Sequence, residues 1–318
     1  MSKFDITSQD REIVPPLVSV IIPTFNSGRY LADAVRSVFA QTYPAVECVV
    51  IDDGSTDETG DILNELLRLH PCLKMARKAN GGLSSARNMG LGLCSGDLVS
   101  FLDADDVLLP DKIVRQVAFL NAHPDIGFVY GDYLLVTETL QPFAFFTAEM
   151  PRGLDPLDAL CYRNWFNSLV ALVRRTVIDQ VGHFDEELAV AEDWDYWIRC
   201  ANVARISYLA GPVALYRQHQ SQIHRDYSRM RLACIQVAKK NFCENRKRLR
   251  TAMAAIELTH AKHLWRQGER VSSVHALLNY AVRGRFGLQI GSILRQLQAI
   301  AQTQLKPLPT NPLRTSAP

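Results

Sequence analysis

Three groups of carboxylates sit where an ionised side chain is costly without a partner. Asp103, Asp105 and Asp106 follow directly on the apolar run at residues 98–102. Carboxylates crowded at the end of a buried strand repel one another and resist desolvation, and a hard divalent cation relieves both problems. Mg2+ and Mn2+ favour carboxylate oxygens together with substrate phosphates, so Asp-x-Asp at a strand end suits such an ion held against a diphosphate. A solvated acidic turn, leading into a helix that begins near Pro110 and Asp111, accounts for the same residues.

Asp52 and Asp53 close the apolar run at residues 47–51 and precede Gly54, Ser55, Thr56 and Asp57. Part of this segment fits a turn and helix N-cap, with Asp57 favouring the helix dipole. Capping does not require two adjacent carboxylates at the strand end, and one there could accept a hydrogen bond from a base N–H. Glu192 and Asp193 open a third group, followed by Trp194, Asp195, Tyr196 and Trp197. Acidic residues suit a helix start, and tryptophans three apart suit a core. The alternative is a general base in a cleft, with aromatic walls that stack on sugar rings.

Two further segments could serve the same site. Gly81 and Gly82 precede Ser84 and Arg87, a pattern that can bring backbone N–H groups and a guanidinium to an anionic or polar ligand. It matches neither GxGxxG nor the P-loop, which argues against those modes of dinucleotide or ATP binding. His219, in Tyr216-Arg217-Gln218-His219, is on general grounds an ordinary surface or capping histidine.

The elements that must position these residues alternate. Residues 17–22 form a β-branched apolar run ending at Pro23, and residues 30–40 carry apolar positions at helical spacing. A strand at 47–51, a helix at 61–69, a helix at 84–94 and a strand at 98–102 continue the order of a doubly wound sheet. Three strands thus end in polar loops, and ligands of open α/β sheets bind outside those strand ends. Residues 128–148 read as antiparallel strands or a flap, 167–173 as a strand and 191–201 as a short helix. Beyond residue 225 the composition turns helical and basic, as in residues 229–250, before a Pro-rich tail from Lys306. The predicted organisation is an N-terminal tail at 1–16, an α/β domain at 17–224, a helical region at 225–305 and a disordered tail at 306–318.

Composition sets limits on the partners. With 47% hydrophobic and 21% charged residues the chain has the makings of a packed core and not of a disordered protein. A formal net charge of +2 gives no global attraction to nucleic acid, which is excluded as a partner. Seven cysteines without a CxxC pair fit a reducing compartment. Residues 1–16 lack the apolar run of a signal peptide, and no apolar stretch approaches the ~20 residues that span a bilayer. The expectation is a cytoplasmic protein, with contact at the inner face of the plasma membrane made, if at all, by the basic C-terminal helices.

Taken in order, these segments resemble the large inverting family-two glycosyltransferases with the GT-A fold. Val18 to Asn26 is similar to their first strand, which puts Pro23, Thr24, Phe25 and Asn26 at the nucleotide pocket. Asp52 and Asp53 lie in a segment that looks like their Asp-Asp-Gly-Ser-Thr-Asp loop, whose carboxylates hold base and ribose. The stretch with Gly82 and Arg87 is similar to their glycine-rich loop and helix, and Asp103-Ala104-Asp105-Asp106 to their metal motif. Glu192-Asp193 resembles their acidic pair, of which the second residue is the catalytic base, and His219 falls where some members supply a further metal ligand. The resemblance covers about residues 17–224.

The resemblance implies a Rossmann-like, mostly parallel sheet flanked by helices, with a C-terminal helical appendage. It implies a metal-dependent transferase with a nucleotide-diphosphate sugar, UDP first, as donor, and a glycan or lipid-linked hydroxyl as acceptor. Asp193 would take the acceptor proton, and Asp105 with His219 would hold Mn2+ or Mg2+. Asp103 would bind the metal through water or touch the ribose, and Glu192 and Trp194 would face the acceptor or sugar. Two rivals share the sheet: a sugar nucleotidyltransferase, which wants a glycine-rich basic loop where this chain has Pro23-Thr24-Phe25-Asn26, and a catalytically silent scaffold of the same fold.

Overall fold

The computed structural model describes residues 15–219, 227–284 and 305–306. The N-terminal half alternates strand and helix: β1 (Val18–Thr24), α1 (Gly28–Phe39), β2 (Val46–Asp52), α2 (Thr59–Leu69), β3 (Lys74–Arg77), α3 (Leu83–Leu93) and β4 (Leu98–Phe101). All seven residues of β1 are buried, because helices cover both faces of the sheet. In α1 the buried Leu31, Ala34, Val35 and Val38 follow the helical period and form one stripe on the sheet. Gly90 lets α3 come closer than any side chain would: a Cβ there would stand 2.4 Å from Cγ2 of Ile21.

The middle of the chain contains β5 (Val107–Leu108), α4 (Lys112–Ala122), β6 (Ile126–Val136), β7 (Pro142–Phe146), α5 (Pro156–Leu160), β8 (Ala171–Arg174) and α6 (Arg175–Val181). Next come α7 (Glu192–Val203), β9 (Arg205–Arg217), α8 (Tyr227–Phe242), α9 (Arg246–Arg266), α10 (Arg270–Gly284) and the two-residue β10 (Leu305–Lys306). The sheet runs β10-β7-β6-β8-β4-β1-β2-β3, with β9 beside β6 and β5. Strands β3, β2, β1 and β4 are mutually parallel; past β4 the ladder turns antiparallel through β8, β6 and β7. The sheet, expected to be mostly parallel, is parallel from β3 to β4 and again where the long β9 runs beside β6, and antiparallel between them. Pro23 interrupts nothing, since β4 pairs β1 only as far as Ile21 and leaves that end of the strand with one neighbour.

One large core lies under the sheet, and a second cluster joins the C-terminal helices to it. Leu160 of α5, Trp194 and Ile198 of α7, Val237 and Phe242 of α8 and Ile256 of α9 pack together. Asp195 of α7, fully buried, accepts hydrogen bonds from Arg199 (2.9 Å) and from Asn241 of α8 (2.7 Å), and Lys240 Nζ stands 3.0 Å away. Helices α8 and α9 are thus pinned against α7 and become a wall of the cleft that α7 faces. Most of the tail predicted at 1–16, and residues 307–318 of the tail predicted at 306–318, lie outside the described residues.

Candidate active site

A single cleft of about 1020 Å³ opens along the carboxyl ends of β1, β2 and β4 and reaches the start of α7. The observation that joins its halves is a buried arginine. Arg87, 1% exposed, donates from Nη2 to Asp103 Oδ1 at 2.8 Å and from Nη1 to Glu192 Oε1 at 2.6 Å. The turn after β4 and the start of α7, far apart in sequence, therefore share one guanidinium. Burial disfavours its charge, but the carboxylates of Asp103, Glu192 and Asp193 outweigh burial and hold the guanidinium above its usual range. Asn88 fastens the same helix: its Oδ1 accepts from Phe184 N–H at 2.7 Å, and its Nδ2 donates to Phe184 O and Glu186 Oε1.

Asp193 is half-buried one residue into α7, behind Ala191 at φ 60°, a left-handed conformation unusual for a residue with a Cβ. Its Oδ2 accepts from Asn164 Nδ2 at 2.9 Å and its Oδ1 from Trp194 N–H at 2.7 Å. Burial, with Glu192 beside it, pushes the carboxyl up to about 7, against the pull of Arg87. A carboxylate poised there can take a proton from a hydroxyl near neutral pH. Glu192, expected on the acceptor or sugar side, is spent on Arg87.

At the other end, Asp105 Oδ2 lies 2.8 Å from His219 Nε2. Burial and neighbouring Asp103 push the Asp105 carboxyl up, with His219 opposing. Arg217 fixes this turn from β9: its N–H donates to Asp106 Oδ1 at 2.8 Å, its Nε to Asp105 O at 2.7 Å and its Nη2 to Asp33 at 2.9 Å. Asp106 is wholly buried with Oδ2 unpaired, and burial followed by Asp105 and Asp103 raises its carboxyl well above the ordinary range. The donor set suits a hard divalent cation: a carboxylate and an imidazole converge, and the acidic turn holds more negative charge than its surroundings balance. Among the described residues no group of three ligating side chains could hold an ion unaided. Mg2+ and Mn2+ sites completed by substrate phosphates need only one or two protein ligands.

The nucleotide-side residues are present but largely engaged with each other. Asp53 lines the cleft; its Oδ1 accepts from Lys78 Nζ at 2.7 Å and Gly81 N–H at 2.9 Å, and its Oδ2 from Gly82 N–H at 2.7 Å. Gly82, at φ 88° and ψ 171°, takes a backbone conformation open to glycine and aims this amide before α3 begins. Asn26, also left-handed at φ 48°, accepts from Thr56 N–H at 2.8 Å, so its side chain braces one loop against another. Pro23, Thr24 and half-exposed Phe25 line the cleft beside it.

Two placements differ from what sequence suggested. Asp52 does not reach the cleft: it is 1% exposed, accepts from Ser55 N–H at 2.8 Å and pairs with Arg77 at 3.3 Å, which is the turn-stabilising role. Trp194 is 3% exposed and donates its indole N–H to Leu160 O at 2.9 Å; its ring packs in the α7–α8 core, and only its edge borders the cleft. Sequence reasoning missed Asn164, Asn88 and Arg163, and gave Arg217 no role. Only Arg217 carried a signal, lying in the same short motif as His219.

Comparisons with known proteins agree on the fold and the family. A family model described as Glycosyl transferase family 2 matches residues 19–145. A PGL/p-HBAD biosynthesis glycosyltransferase of Mycobacterium bovis (strain BCG / Pasteur 1173P2) is 32% identical over 207 residues, 64% of this chain and 77% of that protein. An uncharacterised glycosyltransferase of Rickettsia felis is 31% identical over 223 residues, 68% of this chain. The chain spans only 37% of that relative's length, and 65% of a Rickettsia typhi relative's. Among solved structures, S. aureus TarS 1-349 in complex with UDP-GlcNAc aligns at TM-score 0.56 and 21% identity, covering 85% of this chain and 90% of that one. The mannosyltransferase PcManGT from Pyrobaculum calidifontis, in complex with GDP-Man and Mn2+, aligns at 0.59 and 21%, covering 91% and 81%. Both share the GT-A fold seen here, a mixed sheet flanked by helices. No helix among the described residues is long and apolar enough to cross a membrane.

Proposed function

Because this chain belongs to glycosyltransferase family 2, we propose that it transfers a sugar from a nucleotide-diphosphate donor to an acceptor hydroxyl with inversion at the anomeric carbon. The observation that carries this reading is Arg87, which ties the acidic turn at Asp103 to the α7 start at Glu192 and so gathers a candidate base and a candidate metal site in one cleft. UDP is the first donor carrier to test, since a structural neighbour binds UDP-GlcNAc; a GDP carrier is the second, since another binds GDP-Man. The acceptor is a glycan or lipid-linked hydroxyl compound, and the M. bovis relative is named a PGL/p-HBAD biosynthesis glycosyltransferase. The helical region read at 225–305 would, in its described part at 227–284, serve as the acceptor-side appendage of the GT-A domain at 17–224. A peripheral contact with the inner face of the plasma membrane would be made through that basic region.

In this reading Asp193 takes the proton of the acceptor hydroxyl as the oxygen attacks the anomeric carbon from the side opposite the leaving diphosphate. Asn164 and the Trp194 N–H keep that carboxylate in place, and Arg87 holds Glu192 away from it. Asp105 and His219 would hold Mn2+ or Mg2+, which when bound neutralises charge gathering on the diphosphate. Asp103 stands between that site and Arg87 and faces the ribose or a metal-bound water. Asp53 and the glycine loop with Gly82 line the base end, with Pro23, Thr24, Phe25 and Asn26 as its other wall. A nucleotidyltransferase is not favoured, because no basic glycine-rich loop follows β1, and a silent scaffold has no need to gather a candidate base and a candidate metal site in one cleft.

The test is Asp193→Asn, assayed by release of nucleoside diphosphate across a panel of nucleotide sugars. Transfer should fall about 10²–10⁴-fold, the usual share of a general base, while calorimetric donor binding stays within twofold of the parent. Retention of most of the rate would remove Asp193 from the role, and diphosphate released from a nucleoside triphosphate would move the protein to the rival class.

A further inference from the structure

Past Asp193 the cleft continues between residues 162–168 on one side and α8 and α9 on the other, with Met230, Cys234, Ile256 and Thr259 among its lining. In the first of these walls, four buried polar atoms have no hydrogen-bond partner: Arg163 Nε, Asn164 Oδ1, Asn167 Oδ1 and Ser168 Oγ. Buried polar atoms in folded proteins are paired almost without exception, so a run of orphans lining a cleft marks the place of a ligand. The segment is also anchored to the chemistry, since the other half of the Asn164 amide holds Asp193 at 2.9 Å.

Charge specifies the ligand further. Arg163 lies over the Trp165 ring at 3.8 Å and has no carboxylate partner among the described residues. Arg231, which lines the cleft from α8, is paired with Glu257 at 2.6 Å. Burial brings the Arg163 guanidinium down to about 10. A largely desolvated cation on a cleft wall with no acid beside it is unfavourable until an anion joins it.

We propose that Arg163 forms an oxyanion subsite on the acceptor side of the cleft, so that the acceptor carries a phosphate close to the hydroxyl that receives the sugar, with Asn164, Asn167 and Ser168 binding its neighbouring hydroxyls. The anion site stands on the cleft itself; its assignment to the acceptor rests on Asp193 being the base. The phosphate can belong to a soluble sugar phosphate or to a lipid headgroup, which share this chemistry.

The experiment titrates the full chain, saturated with UDP and Mn2+, with glucose 1-phosphate, with methyl glucoside as the neutral control, and with phosphatidylcholine vesicles with and without phosphatidic acid. Glucose 1-phosphate should bind and methyl glucoside should not, and Arg163→Gln should weaken that binding about tenfold, the loss of one charge-assisted contact. Arg163→Lys should recover part of it, and unchanged thermal melts show that the variants fold. Binding of the phosphatidic acid vesicles alone, weakened by Arg163→Gln, assigns the phosphate to a lipid. The proposal is overturned if neither probe binds, if parent and variants bind alike, or if Arg163→Gln weakens UDP and leaves glucose 1-phosphate unchanged. Failure of the glycosyltransfer reading looks different: the parent then binds no UDP or nucleotide sugar, and the glucose 1-phosphate titration of the UDP-free chain still reads the subsite.

Discussion

On the wall built from β1, β2 and α3, the carboxylates and the amide assigned to the nucleotide are paired with their neighbours, Asn26 with Thr56, Asp52 with Ser55, Asp53 with Lys78, Gly81 and Gly82, while Thr24 Oγ1, Ser84 Oγ and Arg87 Nε are left unpaired. On the facing wall, residues 163–168 leave Arg163, Asn164, Asn167 and Ser168 each with an unpaired buried atom. The first wall is preorganised by internal hydrogen bonds, and a ligand that binds Asp53 must share or displace one of them. The second gains partners without losing any, so its affinity depends on what the ligand offers. The family model ends at residue 145, so the braced wall is the matched part and the open wall lies beyond it. Generic nucleotide binding and particular acceptor choice would divide along the same line.

The largest expected effect breaks the link between the walls. Arg87→Met leaves Asp103 and buried Glu192 facing each other without a cation, and removing one partner of a buried ion pair costs about 3–5 kcal/mol. Urea unfolding should show that loss; a cost under about 1 kcal/mol would mean that the walls hold together without the guanidinium. Next in size is Asp105→Ala, which should weaken Mn2+-dependent donor binding about 10–100-fold while leaving metal-free binding unchanged. Calorimetry with and without Mn2+ checks this, and equal binding by parent and variant would contradict the metal role of Asp105 and His219.

Asp193 gives a smaller effect with a definite sign. Its folded-state carboxyl titrates at about 7, above the ordinary carboxylate, so its contribution to stability is full at acid pH and is lost as pH rises through about 7. Asp193→Asn removes that penalty. The variant should match the parent near pH 4 and exceed it at pH 8 by about 1–2 kcal/mol once solvent access is discounted. The transfer rate of the parent should climb through the same pH window as the base ionises. Melting curves that coincide at both pH values would deny the carboxyl its raised titration.

Much of the braced wall was legible because its signals are local. Apolar runs ending in carboxylates mark β1, β2 and β4, and the helices at 28–39, 59–69 and 83–93 fall within a few residues of the periodic stretches. Strand β3 was missed because Lys74–Arg77 sits at the sheet edge with little buried surface to give it a pattern. Strand β9 was missed because Gly211 and Pro212 break its sequence, although its pairing with β6 and β5 is what delivers His219 to Asp105. Asn164 and Arg163 carry no local mark at all: a turn asparagine or a lone arginine acquires its role from the helix it meets across the cleft. The packing of α8 and α9 against α7 is a long-range fact of the same kind.

Trp194 supplies the finest separation of the two walls. Its indole N–H donates to Leu160 O at 2.9 Å and its ring lies in the core between α5, α7 and α8. Phenylalanine keeps most of the apolar contact and loses that hydrogen bond, so Trp194→Phe should cost about 1 kcal/mol. If the residue serves packing, chemical denaturation registers the loss while the acceptor KM stays put. A sugar-stacking residue would show the opposite split, since a smaller ring at the cleft edge raises the acceptor KM with stability nearly unchanged. With the indole nitrogen bonded inward and the ring 3% exposed, the first pattern is the expected one.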